Sequence, residues 1–210
     1  MNTVIILESL KVMGVFMLED RDCFNLRNNS CFGLLFLLFC IIFTNQVIAD
    51  ESNVSIKAGL LMEGEMYADP PDEYYDTDSG LMFQLNLETM LAEKLSAGVF
   101  YLRASTGAYE EKATINTYGV TLKAHINRNS NVRIRPGIAI GYQTIDLGFG
   151  GDDITGLDIG GFIEVAFSKI GENDLIAELG FITQPAGGNK DSDVTFGPIL
   201  YITGGMSFGM

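Results

Sequence analysis

The sequence has no tryptophan, a single histidine and only three cysteines, Cys23, Cys31 and Cys40. A chain that begins after Ala49 would therefore have no disulfide and no cysteine-bound metal. Lys and Arg number 13 against 27 Asp and Glu, which gives a net charge of −14. We expect no nucleic-acid partner, because phosphate binding requires clustered basic side chains. No metal triad, phosphate loop or nucleotide fingerprint is present, so we expect no enzyme, no cofactor and no metal site.

The first 49 residues have the features of a targeting segment. Residues 31–43 form an uncharged apolar run that follows a stretch with basic residues, and residues 47–49 supply small side chains suited to a cleavage site. The run is shorter than the about 20 apolar residues that a transmembrane helix needs. We predict a cleavable signal peptide over residues 1–49 and one domain over residues 50–210. Translation from Met13 or Met17 is an open alternative for the true start.

The last 17 residues alternate in polarity. Val194, Phe196, Pro198, Leu200, Ile202, Gly204, Met206, Phe208 and Met210 form a mostly apolar set, and the residues between them are mostly small or polar. Successive side chains of a strand point to opposite faces, so this pattern predicts a strand with one apolar face. The segment is longer than the roughly 5–6 residues usual in soluble sheets, and about ten tilted residues cross a bilayer.

Seven further segments show the same alternation. They are residues 54–66, 81–91, 97–105, 114–126, 132–143, 156–168 and 175–184. Short connections (92–96, 127–131, 169–174) alternate with longer acidic or Gly-rich ones (67–80, 106–113, 146–155, 185–193). We therefore predict an all-β fold, an eight-stranded antiparallel up-and-down transmembrane β-barrel with periplasmic turns and extracellular loops.

Charge indicates which face meets lipid. Within the proposed spans the apolar sets, which include Leu85, Ile140 and Leu200, have no charged residue. Aromatic residues on these sets lie near strand ends, like interfacial girdles: Phe83, Tyr118, Tyr142, Phe181 and Phe196 near the loops, and Phe100, Phe167 and Phe208 near the turns. Alternation alone does not say which face is inside, so a soluble periplasmic lipocalin-like binder is the alternative.

In this pattern the chain resembles the small eight-stranded outer-membrane barrels of the OmpA/OmpX type over residues 50–210. The most specific feature is the C-terminal strand, although Phe208 is followed here by Gly209 and Met210. The resemblance implies location in the outer membrane of a Gram-negative bacterium, contact with outer-membrane lipid and lipopolysaccharide, and insertion by the barrel-assembly machinery. It also implies a porin-like or structural monomer rather than a soluble protein.

The inward set has charges of both signs. Lys57, Glu88, Lys123, Arg133, Arg135, Glu164 and Glu178 are placed in the turn-side half, and Glu63, Glu65, Arg103 and Asp158 nearer the loops. An eight-stranded barrel has room only for its side chains, and opposite charges in such an interior must pair, so we predict a salt-bridge plug. A narrow channel for ions or small apolar solutes is the alternative.

Two further roles concern catalysis and the outer loops. Some barrels of this type resemble lipid A deacylases or acyltransferases, which need a serine and a histidine base. His125 has no serine at motif spacing, so a lipid-modifying enzyme is disfavoured. The acidic loop offers a possible interaction surface, formed by Asp72, Glu73, Tyr74, Tyr75, Asp76 and Asp78. It suits an adhesin-like role or divalent cations, and a simply solvated acidic surface is the alternative.

Overall fold

The computed structural model describes residues 52–108, 111–127, 130–148, 152–170 and 173–209, so the predicted signal peptide lies outside the described residues. The strands are β1 Ser52–Leu61, β2 Gly64–Asp69, β3 Glu73–Thr77, β4 Gly80–Ala92, β5 Leu95–Ala108, β6 Glu111–Ala124, β7 Val132–Asp146, β8 Ile154–Ile170, β9 Asn173–Gly188 and β10 Asp193–Gly209. In this part of the chain no helix is long and apolar enough to span a membrane.

The strands close into a ring. From β4 to β10 each long strand pairs antiparallel with the next, and β1 pairs with both β4 and β10. The short strands β2 and β3 extend β1 and β4 beyond this ring: β2 pairs with the start of β10, and β3 meets β5 at Thr77 and Ala108. The predicted eight-stranded antiparallel barrel is thus confirmed. Two of its eight strands are interrupted, one between β1 and β2 and the other between β3 and β4. Closure gives each of the long strands described a partner on both sides, as a barrel in hydrocarbon requires.

The two ends of the barrel differ from the prediction in detail. The turn end has the connections 93–94, 125–131 and 171–172, and the loop end has 70–72, 109–110, 147–153 and 189–192. The predicted alternation of short turns and long loops is wrong, because most of 67–80 is the β2–β3 hairpin and β5 and β6 take up most of 106–113. The strands extend because their inward residues at this end are apolar and buried.

An apolar band surrounds the outside of the barrel. Ile56, Ile140 and Leu200 are 44%, 48% and 51% exposed, and Leu85 lies on the same face. The predicted lipid-facing orientation is confirmed, and a soluble barrel with this set inside is contradicted. Tyr118 and Tyr142 also face outward, as do Phe83, Phe181 and Phe167. A closed barrel with this surface is suited to lipid, since apolar side chains face the hydrocarbon and the long strands are paired on both sides.

Polarity inverts at the loop end. On β7, Ile145 is buried inside while Thr144 and Asp146 point outward, and on β6 Ile115 is buried inside. The buried apolar cluster also includes Leu61, Met66, Met82, Leu102, Ile154, Ile182, Val194 and Ile199. Apolar residues inside and polar residues outside are the pattern of a sheet in water. We call this part the collar. It is formed by β2, β3 and the loop-end segments of β5–β10, and it extends beyond the apolar band.

The face assigned to residues 97–105 is wrong. Phe100 is buried inside the barrel and not part of a girdle, and Arg103 is exposed on the outside and not part of an interior network. The reason is the space provided by neighbouring strands. A Cβ at Gly119 would lie 2.6 Å from Phe100 Cε1, so the missing side chain at Gly119 makes room for the ring.

Two strand irregularities cause the other errors. The pairing of β10 with β9 shifts between Phe196 and Ile199, so Phe196 is buried inside although Leu200 faces outward. Between β1 and β2 the chain is interrupted at Met62 and Glu63, after which Met66 is buried and Glu65 is exposed. Glu63 is exposed as well, so neither glutamate belongs to the interior. An inserted residue moves every later side chain of the strand to the opposite face.

Candidate functional site: the charged interior and the acidic hairpin

An ionic network lies in the turn-end half of the interior. Lys123 Nζ on β6 lies 2.6 Å from Glu88 Oε2 on β4 and 3.0 Å from Glu164 Oε2 on β8. Lys57 Nζ on β1 pairs with Glu178 on β9 and lies 3.4 Å from Glu164 Oε2. These side chains are at most 7% exposed. Five strands on different sides of the barrel are thus joined through charged side chains.

The network continues toward the turn end through two arginines. Arg135 Nη1 donates to Glu164 Oε1 at 2.9 Å, and Arg135 Nη2 lies 3.4 Å from Asp174 Oδ2. Arg133 pairs with the same Asp174 oxygen. The network therefore balances four cations, the two lysines and two arginines, against four anions. Pairing of this kind is what makes buried charges tolerable.

Two aromatic residues belong to the same region. Both lysine ammonium groups lie beside the Phe162 ring, Lys57 Nζ at 5.8 Å and Lys123 Nζ at 5.6 Å from its centroid. Tyr201 donates a 2.8 Å hydrogen bond to Glu178 Oε1. Phe162 and Tyr201 also belong to the apolar cluster, so they connect the ionic half of the interior to the apolar half.

The structure brings together seven of the eleven residues assigned to the interior from sequence: Lys57, Glu88, Lys123, Arg133, Arg135, Glu164 and Glu178. Asp158 is fully buried but forms no ion pair within the described part of the chain, and Arg103 is outside. Asp174 was missed because it was assigned to a turn. Tyr201 lay on the inward set of the terminal strand, but its hydroxyl gave no charge signal.

A serine that sequence spacing did not reveal lies beside His125. Ser96 Oγ is 2.7 Å from Glu88 Oε1 and 2.8 Å from His125 Nε2, inside the barrel. A hydroxyl has one proton, so when Ser96 donates to Glu88 the Nε2 atom of His125 must donate to Ser96. In that arrangement the ring cannot act as the serine's base, as a hydrolytic triad requires. The contact therefore fits a structural hydrogen-bond chain.

The β2–β3 hairpin presents two cross-strand pairs on its outer face. Tyr67 lies opposite Tyr74, with ring centroids 5.0 Å apart and planes at 50°. Glu65 lies opposite Asp76, and neither forms an ion pair with any described residue. Like charges directly opposite each other on a sheet are destabilising. The outer face of the hairpin thus combines two aromatic rings with uncompensated negative charge.

The residues predicted for this surface are not all on one face. Tyr74 and Asp76 point outward, whereas Tyr75 packs against the apolar cluster and donates to Glu73 Oε2 at 2.8 Å. Asp72 accepts a 2.7 Å hydrogen bond from the Tyr67 hydroxyl, which is the main reason that the pKa of Tyr67 is raised to about 12. Asp78 lies at the break between β3 and β4, where its backbone N donates to Gly107 O.

A pocket of about 290 Å³ opens beside this hairpin. Its lining consists of Glu65, Tyr67, Tyr74, Pro185, Thr195, Phe196 and Gly197. Glu65, Tyr74, Pro185 and Gly197 are exposed, so the pocket lies on the outer surface of the collar. Among the described residues no group of three or more His, Cys, Asp or Glu is arranged to hold a metal ion. Divalent cations at the acidic loops stay a prediction.

The sequence matches no protein-family model and no curated protein. Its structure is similar to several solved outer-membrane proteins. Neisserial surface protein A matches with a TM-score of 0.54 and 13% identity, over 75% of this chain and 96% of that one. OprG from Pseudomonas aeruginosa matches with a TM-score of 0.56 and 11% identity, over 76% and 96%. A major outer membrane protein from Thermus thermophilus matches with a TM-score of 0.50 and 13% identity, over 76% and 99%.

Identities this low establish the fold alone. The apolar outer band, the paired strands and the charged interior are features of this chain itself, and they agree with that fold. The chain is a small closed eight-stranded antiparallel β-barrel with an apolar outer band, the fold of those outer-membrane proteins.

Proposed function

We propose that the protein is a closed barrel that acts through its outer surface, as an adhesin-like or structural protein, and not as a channel. The observation that carries this proposal is the presence of buried side chains in both halves of the interior. The ionic network takes up the turn-end half and the apolar cluster the loop-end half. A water-filled path through the barrel would require both the network and the cluster to be displaced. The ion pairs at Glu164 oppose this, because they join strands from across the barrel.

The hairpin supports the second part of the proposal. Its tyrosines and carboxylates are held beyond the apolar band, where a partner can reach them, and Tyr74 is 73% exposed. Exposed tyrosines and adaptable acidic groups are common in recognition surfaces. Neisserial surface protein A, a structural neighbour, is by its name a surface protein. Insertion by the barrel-assembly machinery and contact with lipopolysaccharide are part of this proposal.

Conductance tests the closed interior. The protein, extracted from outer membranes and reconstituted in planar bilayers, is expected to give no steady conductance, next to a porin prepared in the same way. Reproducible single-channel steps from the unaltered protein would contradict the proposal and favour the narrow channel.

Surface labelling and attachment test the hairpin. A Tyr74→Cys variant in intact cells is expected to react with a membrane-impermeant maleimide, whereas Ser130→Cys at the turn end should react only after the outer membrane is opened. A triple variant, Glu65→Gln, Tyr74→Ala and Asp76→Asn, should reduce self-aggregation of cells or their attachment to host-cell layers. If attachment and aggregation match those of the parent, the surface role fails.

A further inference from the structure

The pocket on the collar forms where two strands are irregular. The pairing of β10 with β9 shifts on both sides of Phe196, and Pro185 of β9 and Gly197 of β10 line the resulting recess. Side chains take over part of the missing ladder: Thr183 Oγ1 donates to Phe196 O at 2.6 Å, and Gln184 Nε2 to Val194 O at 3.0 Å. The recess is thus fixed by hydrogen bonds on both sides of the shift.

Two tyrosines line the recess, and they present their rings to it more than their hydroxyl groups. The hydroxyl of Tyr67 is engaged by Asp72, so Tyr67 presents its ring to the recess. Tyr74 packs across from it and is largely exposed. The faces of aromatic rings attract cations, and organic ammonium groups most clearly, because the ring quadrupole is negative there.

The charge around the recess has one sign. Glu65 lines it, Asp76 lies opposite Glu65 on β3, and no lysine or arginine is among the lining residues. A bound cation would relieve the repulsion between these two carboxylates, whereas an anion would add to it. A hard divalent ion is a poorer match, since Ca²⁺ requires about six to eight oxygen ligands and the walls here are rings.

We propose that this pocket binds an organic ammonium group, held against the Tyr67 and Tyr74 rings that line it and neutralised by Glu65 and Asp76. The proposal rests on the proposed function, because it names the ligand chemistry of the same hairpin. The volume of about 290 Å³ is at the lower end of small-molecule sites and suits a head group of the size of choline.

Fluorine NMR tests the proposal directly. The protein is labelled with 3-fluorotyrosine, extracted from outer membranes into octyl glucoside, which has no ammonium group, and titrated with choline. Resonances of Tyr67 and Tyr74, assigned with Tyr67→Phe and Tyr74→Phe, are expected to shift saturably. The neutral carbon isostere 3,3-dimethylbutan-1-ol is expected to bind about tenfold more weakly or less, because it lacks the charge. Equal binding of both compounds, or shifts with CaCl₂ alone, would overturn the ammonium assignment.

Gly197 provides a steric test. A Cβ at this position would have Glu65 O as its nearest neighbour, at 3.7 Å, so a side chain is tolerated there and would enter the pocket. Gly197→Leu is expected to abolish the choline shifts without changing the charge. Heat-modifiable gel migration checks that the variant is folded. A folded Gly197→Leu protein that still binds choline would overturn the site.

Charge variants complete the test. Glu65→Gln combined with Asp76→Asn is expected to weaken choline binding about tenfold or more. Glu73→Gln is the matched control, since Glu73 is on the same hairpin but is bonded to the inward Tyr75, and it should bind choline like the parent. Equal losses in the double variant and in the control would overturn the assigned roles.

The ammonium group can come from solution or from a lipid head group. In nanodiscs, adding phosphatidylethanolamine to phosphatidylglycerol would shift the two resonances without choline if the source is lipid. Shifts with choline alone would assign a soluble source, and either outcome supports the chemistry. Absence of binding together with lost attachment in the triple variant would overturn this inference and leave the proposed function standing. Conductance by the unaltered protein would count against the proposed function instead.

Discussion

Glu164 Oε2 lies 3.0 Å from Lys123 Nζ inside the barrel, although the two residues are 41 positions apart in the sequence. β6 and β8 are separated by β7, and each turns alternate side chains into the same enclosed space. The second oxygen of Glu164 accepts from Arg135 at 2.9 Å. Isolated buried charge is very costly, so each member of the network depends on the others. Among the residues that the structure describes, Glu164 takes part in the most ion pairs.

Glu164→Gln is therefore expected to destabilise the protein by about 3–5 kcal/mol, because three buried cations lose their shared anion. Unfolding in urea from lipid vesicles, followed by heat-modifiable gel migration, measures the loss. Asp152→Asn is the control, since Asp152 pairs with Lys190 at 2.8 Å on an exposed surface and should change stability little. Equal stability of parent and Glu164→Gln would show that the network contributes no net stability.

Gly119 is expected to be intolerant of any side chain. A Cβ there would lie 2.3 Å from Ile140 O and 2.6 Å from Phe100 Cε1. Gly119→Ala should cost about 1–3 kcal/mol through overpacking. Gly204→Ala is the matched control, because the nearest atom to its Cβ is Ile176 O at 3.8 Å. Similar urea midpoints for the two variants would contradict the packing assigned to Phe100.

Alternation, together with the charge carried by one of the two sets, predicted the barrel and most of its inward charges. Where pairing is regular, as from β6 to β8 and between the two register shifts of β8 and β9, a period of two fixes the faces. Lys123, Arg135, Glu164 and Glu178 therefore fall inside as expected. It failed at strand irregularities. The shift near Pro198 reverses the face of Phe196, and the interruption at Glu63 reverses that of Glu65. A single sequence does not reveal an inserted residue until the partner strand is known.

The faces predicted for Phe100 and Arg103 were wrong for another reason. Their strand has apolar residues on both faces, so polarity did not decide between them. What decides is space inside, and that space comes from glycines on neighbouring strands. The collar was missed because its residues were assigned to loops. Its signal was present in the inversion of the pattern: Ile145 lies between Thr144 and Asp146, which fits a strand with water outside.

The extent of the apolar band can be measured with one strand. Ile138 and Thr144 lie on the same outer face of β7, Ile138 in the band at 55% exposure and Thr144 in the collar. Ile138→Arg is expected to destabilise the protein by about 2–4 kcal/mol, and Thr144→Arg by about 0–1 kcal/mol, because the cost of a lipid-facing charge depends on depth. Unfolding in lipid vesicles compares them. Equal costs would mean that the collar is not outside the hydrocarbon.

The hydrogen bond from Tyr67 to Asp72 predicts a pH-dependent hairpin. The bond raises the pKa of Tyr67 from 10.0 to about 12, so the folded hairpin favours the protonated phenol. Its stabilising effect is complete below pH 10, the ordinary value, and is lost as pH rises through 12. Asp72→Ala removes the acceptor, so Tyr67 should titrate at lower pH in that variant. Phenolate absorbance, taken as the difference from a Tyr67→Phe protein in each background, follows this one residue. Because the hydrogen bond to Asp72 is the main cause of the raised pKa, titration of Tyr67 at the same pH in both backgrounds would contradict this pH-dependent contribution to the stability of the hairpin.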